Sequence, residues 1–304
     1  ALQRAGIGSG ALQPHEILTR PDRAAAVRTA VASVGGLHGV AAPGAWQAHG
    51  RAIVVAFPVK DGSQRAARDL VGPVRAAVHA ADSQAGLGGV VAQNADFIKA
   101  VYGSFPLMIA LIAFITFILL ARAFRSLLLP AKAVLLNVIS VGAAWGVLQL
   151  VWQSGHGSDA IFGIPSTGSI TAWIPLMVFA FLFGLSMDYE VFILARMREE
   201  FDATGDTDLA VVRGIGRTGR LVTSAALILF MAFVSMASGP ETDIKVLATG
   251  LAAGILLDAT VIRALLVPAV VSLFGRWNWV LPAGPAKLLR VEPSLPPRTA
   301  PGPA

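Results

Sequence analysis

The chain has 304 residues, of which 55% are hydrophobic and only 14% charged, against about 25% charged in ordinary soluble domains. A formal net charge of +6 comes without any motif for reading bases, and the Lys and Arg residues are scattered or sit beside apolar spans, which argues against nucleic acid as a partner. The absence of Cys excludes disulfides and thiolate chemistry.

The first hundred residues are the part with ordinary soluble patterning. His15–Thr19, Gly35–Ala41, Ile53–Phe57 and Leu87–Ala92 read as strands, and the Ala-rich stretches Asp22–Ser33 and Ser63–Ala80 as helices. Pro73 interrupts the second helical pattern. The order strand, helix, strand, strand, helix, strand suits a small split βαβ domain of the ferredoxin-like kind. His38, His49 and His79 lack metal-ligand spacing and read as surface or packing residues, so no metal site is expected. The pairs Gly35-Gly36 and Gly88-Gly89 read as turns, because no Lys follows at nucleotide-loop spacing.

Five stretches then follow that can cross a bilayer, which takes about 20 apolar residues per helix: approximately Val101–Leu120, Ala133–Trp152, Thr171–Leu194, Leu221–Ala237 and Val246–Phe274. Arg122, Arg125 and Lys132, then Arg196, Arg198, Arg213, Arg217 and Arg220, then Arg276, Lys287 and Arg290 fall on one side. The opposite loops, Gln153–Ile170 and Ser238–Asp243, hold neither Lys nor Arg. This asymmetry predicts a multi-pass cell-membrane protein with residues 1–97 extracytoplasmic, five spans over 98–276, and a Pro-rich cytoplasmic tail over 277–304. The chain opens without Met, and its first span starts too late for a signal peptide. An external domain with no exporting helix before it implies a piece of something longer, or a processed protein whose signal peptide was removed.

Carboxylates inside the spans carry most of the functional information. One at that depth costs roughly 2.5–3.5 kcal/mol on insertion scales, so it faces protein or water and is a candidate for ion or proton handling. Asp188 continues the spacing of Ala180 and Gly184, and Asp258 that of Gly250 and Gly254. Each carboxylate therefore lies on a small-residue face that lets another helix approach, predicted to look into the bundle. The competing reading is that both only hydrogen-bond neighbouring helices. Glu190 is two residues from Asp188, about 200° around the helix, and nearer the cytoplasmic water. Tyr189 offers a hydroxyl or simple aromatic packing. Thr223 and Ser224 offer hydroxyls to a relay, or bonds to their own backbone. Arg263, five residues past Asp258, reads first as snorkelling to headgroups and second as a carboxylate's partner.

Phe183-Gly-Leu-Ser-Met-Asp-Tyr-Glu-Val-Phe192, together with Leu257-Asp-Ala-Thr-Val-Ile-Arg263 and the following Leu-Val-Pro, resembles the carboxy-terminal half of the MMPL family, within the resistance-nodulation-division transporter superfamily. The resemblance reaches to about Phe274. It implies a membrane α-helical bundle with an extracytoplasmic α+β ferredoxin-like porter domain, the five spans corresponding to helices eight to twelve of twelve. Gly6–Gly10 would then follow an absent seventh helix. It also implies proton-driven export of lipids or other hydrophobic compounds without a cofactor, with Asp188 and Tyr189 matching the second half's proton-relay pair. Thr223, Ser224 and Asp258 join that relay, with Glu190 and Arg263 in support. The partners implied are protons, a lipid or small hydrophobic substrate, and a missing amino-terminal half with its own helices and first porter domain. The alternative is a non-transporting membrane receptor or accessory subunit that binds lipid or protein through its external domain. No nucleophile, acid and base cluster can be assembled, so an enzyme is not expected.

Overall fold

The computed structural model describes residues 8–294 except Ser63 and Thr167. Its contacts separate two units, Ala1–Pro106 with Ser166–Ala172, and Leu107–Pro165 with Trp173–Ala304.

In the first unit, strands β1 (His15–Thr19), β2 (Leu37–Ala41), β3 (Gln47–Ala48), β4 (Arg51–Pro58) and β5 (Gly86–Gly88) form a sheet in the order β2-β4-β1-β5, with β3 hairpinned onto β4. All the neighbouring strands are antiparallel. Helices α1 (Ala24–Ala32), α2 (Arg65–Asp69) and α3 (Val71–Ala81) complete the unit's interior elements. Alternation along β1 sends His15, Ile17 and Thr19 inward, where Ile17 and Val54 meet Val27 and Val31 of α1 and Val74 and Val78 of α3. Leu18 and Ile53 face the other way and are exposed. Thr19 Oγ1 donates to Asp82 Oδ2 at 2.7 Å, and the Gln84 N–H donates to Asp82 Oδ1 at 3.0 Å. These two bonds fix the exit of α3 and, with Thr19 leading, hold the Asp82 carboxyl below its usual pKa. His15 is fully buried, neither ring nitrogen has a hydrogen-bond partner among the described residues, and desolvation lowers its pKa.

Three local expectations change. The β3–β4 hairpin was not anticipated; His49 and Gly50 both adopt positive φ, 50° and 72°, as a two-residue turn of the I′ kind requires. The single helix expected over Ser63–Ala80 is broken at Leu70, between α2 and α3, because Pro73 cannot donate to a carbonyl four residues earlier. The strand expected over Leu87–Ala92 stops at Gly88. Gly89, at φ +94, turns the chain, and α4 (Val90–Phe124) starts at once, eleven residues ahead of the predicted first span.

Five helices are long and apolar enough to cross a membrane: Val90–Phe124, Leu128–Gln153, Trp173–Thr204, Thr207–Ala237 and Thr242–Trp279. The protein is thus a multi-pass membrane protein with a separate β-sheet region. The second of these is α5 (Leu128–Leu148), ending in a wider π-helical turn over Gln149–Gln153. The short α6 (Ser158–Phe162) precedes α7 (Trp173–Thr204) and α8 (Thr207–Ala237). The last is composite: α9 (Thr242–Leu257), a π-helical segment Asp258–Leu266, and α10 (Val267–Phe274). Within the second unit α7, α8 and α9 pack on one another, and α5 packs on α7 and α9. Gly250 and Gly254 make the close approaches: a Cβ at Gly254 would lie 2.2 Å from Leu182 Cδ1 and 3.1 Å from Ala144 Cβ.

The predicted tail is partly built into this unit. Trp279, 1% exposed, stacks on Phe201 with ring centroids 4.3 Å apart, and its indole N–H donates to Thr207 Oγ1 at 3.0 Å. Arg198 donates to the Trp279 carbonyl at 3.2 Å and to Ser294 Oγ at 3.1 Å. A helix α11 (Ala283–Leu289) follows, and Leu281 pairs with Ser294. Residues 295–304 of the tail and Gly6 lie outside the described residues.

Candidate functional site

The π-helical segment determines which side chains meet in the membrane core. Its i→i+5 bonding widens the turn, so residues five apart come onto one face. Pro268, just past its end, supplies no N–H to the carbonyl four residues before it. Asp258 and Arg263 therefore align, with Arg263 Nη2 2.5 Å from Asp258 Oδ2 and the two residues only 7% and 6% exposed. The first reading of Arg263 as snorkelling is overturned: regular α-helical spacing would have separated it from Asp258, and the π turn removes that separation.

Helix α7 closes the cluster through Ser186. Its hydroxyl donates to Asp258 Oδ1 at 3.1 Å, and Arg263 Nη2 donates to the Ser186 carbonyl at 2.7 Å and lies 3.1 Å from Ser186 Oγ. The guanidinium also lies over the Tyr189 ring, 5.0 Å from its centroid, a cation–π contact in a desolvated place. Tyr189 is half-buried. One level along, Asn137 of α5 donates to the Phe183 carbonyl at 3.1 Å. A serine, an aspartate, an arginine and a tyrosine face thus meet where two helices cross. Such an arrangement can hold a charge without water and exchange a proton through hydroxyl and carboxylate oxygens.

Glu190 is 4% exposed, buried between helices of the bundle rather than reaching interfacial water as expected. It lines a small cavity with Lys132, whose ammonium donates to the Val270 carbonyl at 3.1 Å and to Asn278 Oδ1. Among the described residues Glu190 makes no ion pair.

The two small-residue faces behave differently. Gly250, Gly254 and Asp258 look into the bundle, whereas Ala180, Gly184 and Asp188 are exposed in this chain, contrary to the inward orientation expected for them. The reason is rotational. With Ser186 and Glu190 turned toward the Asp258 side, Asp188 midway between them is carried about 200° away. Thr223 and Ser224 on α8 are exposed as well, and among the described residues no hydrogen bond joins them to the Asp258 cluster. Ser186 carried no signal in the sequence, since a serine in a membrane helix most often bonds its own backbone. Asn137 did carry one, as a lone amide within an apolar run.

Residues 29–292 match the MMPL family. The heme uptake protein MmpL11 of Mycobacterium tuberculosis (strain H37Rv) is 36% identical over 296 residues, covering 93% of this chain and 30% of that protein. The mycolic acid-containing lipids exporter MmpL11 of Mycolicibacterium smegmatis is 39% identical over 232 residues, 75% of this chain and 24% of its own. The trehalose monomycolate exporter MmpL3 of M. tuberculosis (strain CDC 1551) is 37% identical over 196 residues, 64% of this chain and 21% of its own. The chain therefore spans less than a third of the length of these curated relatives. With the match running from the sheet unit through all five long apolar helices, the chain belongs to the MMPL family.

Proposed function

We propose that this chain is the second, carboxy-terminal half of a proton-motive-force-driven exporter of lipids or other hydrophobic compounds, of the resistance-nodulation-division type. A transport role is supported by the family and by the helical bundle. The observation that carries the coupling is the buried Asp258–Arg263 pair of the last span, joined through Ser186 to the helix that also presents Asp188 and Tyr189. Asp188 takes up a proton from the outside and releases it inward, with Tyr189, Thr223, Ser224 and Asp258 as relay groups and Glu190 and Arg263 in support. In the full-length protein the exposed Asp188, Thr223 and Ser224 surface meets the amino-terminal helices, which supply the partner pair.

The strand order β2-β4-β1-β5 with antiparallel neighbours supports a ferredoxin-like porter domain over residues 1–97, ahead of spans over 98–276 and a tail over 277–304. The confinement of Lys and Arg to alternate loops supports an extracytoplasmic porter domain and a cytoplasmic tail. Two of the relatives above are named as lipid exporters, which favours an apolar or amphiphilic cargo. The test is gradient-driven transport by the full-length protein in proteoliposomes. Asp188→Asn is expected to leave cargo binding intact and to lose the response to an imposed pH gradient; undiminished gradient-driven transport refutes the assignment.

A further inference from the structure

Glu190 is the buried carboxyl of α7 that the Asp258 cluster leaves aside. It is 4% exposed, and among the described residues it has neither an ion pair nor a hydrogen bond. The charges of the last span that act on it, Arg263 and Asp258, are already paired with each other. A carboxylate without a cation or a donor is costly in such a place, whereas the protonated acid, or a carboxylate beside an ammonium, is far less so. Glu190 therefore has two tolerable states, and where a cation stands decides between them.

That cation is Lys132 of α5. The two side chains line one small cavity between α5, α7 and α10, walled by Leu136, Leu194 and Val267. It offers about 10 Å³ to the centre of a water molecule, room for one. Yet Lys132 is held off Glu190. Its ammonium donates to Asn278 Oδ1 and, at 3.1 Å, to the Val270 carbonyl, and it lies 3.8 Å from the centroid of the Phe274 ring. All three partners belong to the last long helix, Thr242–Trp279. Asn278 is itself fixed, fully buried with its amide donating to the Val271 and Gly275 carbonyls at 2.6 Å each. None of the three carries a charge, and a contact with a carboxylate would be the stronger one once made. Moving Lys132 from Asn278 to Glu190 exchanges neutral partners for an ion pair across a cavity that both side chains already share.

We propose that Glu190 is the group from which this half releases its proton inward, and that Lys132 and Asn278 form the latch that times the release. With Lys132 on Asn278, the Glu190 carboxyl keeps its proton. When the last span shifts and Asn278 lets go, the ammonium crosses to Glu190. The carboxyl O–H bond then breaks, the proton leaves on the cavity water as hydronium, and the carboxylate stays behind, paired. Lys132 remains an ammonium throughout and acts as a positioning residue. The origin of the proton rests on the transport reading above; the latch rests only on the placement of Lys132, Asn278 and Glu190.

Two measurements on the full-length protein in liposomes separate these. The first is labelling at neutral pH by dicyclohexylcarbodiimide, which adds to protonated buried carboxyls, with the Glu190 adduct counted by peptide mass spectrometry. The parent and Lys132→Met should label alike. Asn278→Leu, which frees Lys132, should label at least fivefold less, and adding Lys132→Met to it should restore the parent level. The second is acidification of a trapped pH-sensitive dye after an external acid pulse, which Lys132→Met and Glu190→Gln should each slow at least tenfold. Should Asn278→Leu fail to fold, these last two variants, which leave Asn278 intact, still decide. No Glu190 adduct in the parent, equal labelling of the parent and Asn278→Leu, or undiminished acidification in Lys132→Met overturns the latch. If the parent itself passes no protons, the transport reading fails and takes the release role of Glu190 with it, while the labelling pattern still decides the latch.

Discussion

The Asp258–Arg263 pair can be weighed by a double-mutant cycle. In Arg263→Met the Asp258 carboxylate loses its cation and keeps the Ser186 hydroxyl, and in Asp258→Asn the guanidinium loses its paired carboxylate and keeps the Ser186 oxygens and the Tyr189 ring. Removing one partner of a buried pair costs about 3–5 kcal/mol in water-soluble proteins, because the survivor is a buried charge without compensation. In a bilayer the reference state also finds polar partners, and measured interhelical contributions average about 0.6 kcal/mol, with a maximum near 1.7. This pair is charged, shares its donor with a third oxygen, and joins two elements, so each single variant should lose about 2–3 kcal/mol. The double variant should lose about the same rather than the sum, a coupling of about 2 kcal/mol. Unfolding of the purified protein in mixed bicelles, followed by Trp fluorescence, gives all four corners of the cycle. A coupling below about 0.5 kcal/mol, the usual limit of additivity for independent sites, would refute the pair as an energetic unit.

Gly254→Val should cost about 1–3 kcal/mol by overpacking, read as a lower melting temperature, because its new Cβ meets Leu182 and Ala144. Gly184→Ala, with nothing within 4 Å, should stay within about 0.5 kcal/mol of the parent when this chain is measured by itself. His15 has a folded pKa below its unfolded value of about 6.5, so the unfolded state binds more protons in acid. The sheet unit should keep its full stability above pH 6.5 and lose it as pH falls below that value, seen as declining amide-exchange protection at Val54 and Val78, with a flatter profile in His15→Leu. For topology, single cysteines placed by Asp159→Cys and Thr204→Cys, both exposed, should label from outside and inside respectively; the fully buried Ser158 is a poor reporter. Labelling of the Thr204 position alone in intact cells would reverse the orientation.

Much of the architecture was readable because it rests on local rules. Strand β1 fell on the residues read as a strand, and the five long apolar runs became five long helices. The site was readable only in its ingredients. The motif around Asp188 and the Gly250–Gly254–Asp258 face could be seen, but reading Arg263 at regular helical spacing placed it off the Asp258 face. A π-helical segment has no periodic signature in the sequence, since it breaks the period that would reveal it. The rotation of α7 was hidden for a related reason: the helix is apolar nearly all round, so hydrophobic pattern alone does not choose between the Asp188 face and the Ser186–Glu190 face. Only packing against the last span decides. The interior role of Trp279 escaped because a Pro-rich stretch following a span reads as a tether.

That segment bears on how the protein can be handled. Membrane topology is often mapped, and expression followed, with a reporter joined directly after the last apolar run, here at Gly275. Such a junction would remove Asn278, whose amide donates to the Val271 and Gly275 carbonyls at 2.6 Å and whose backbone oxygen accepts from Ser126. It would also remove the ring on which Phe201 stacks. The truncated fusion would lack the piece that ties the start of α5 to the turn between α7 and α8, and its poor yield would report a lost fastening instead of a wrong topology. A junction beyond Ser294 keeps that fastening.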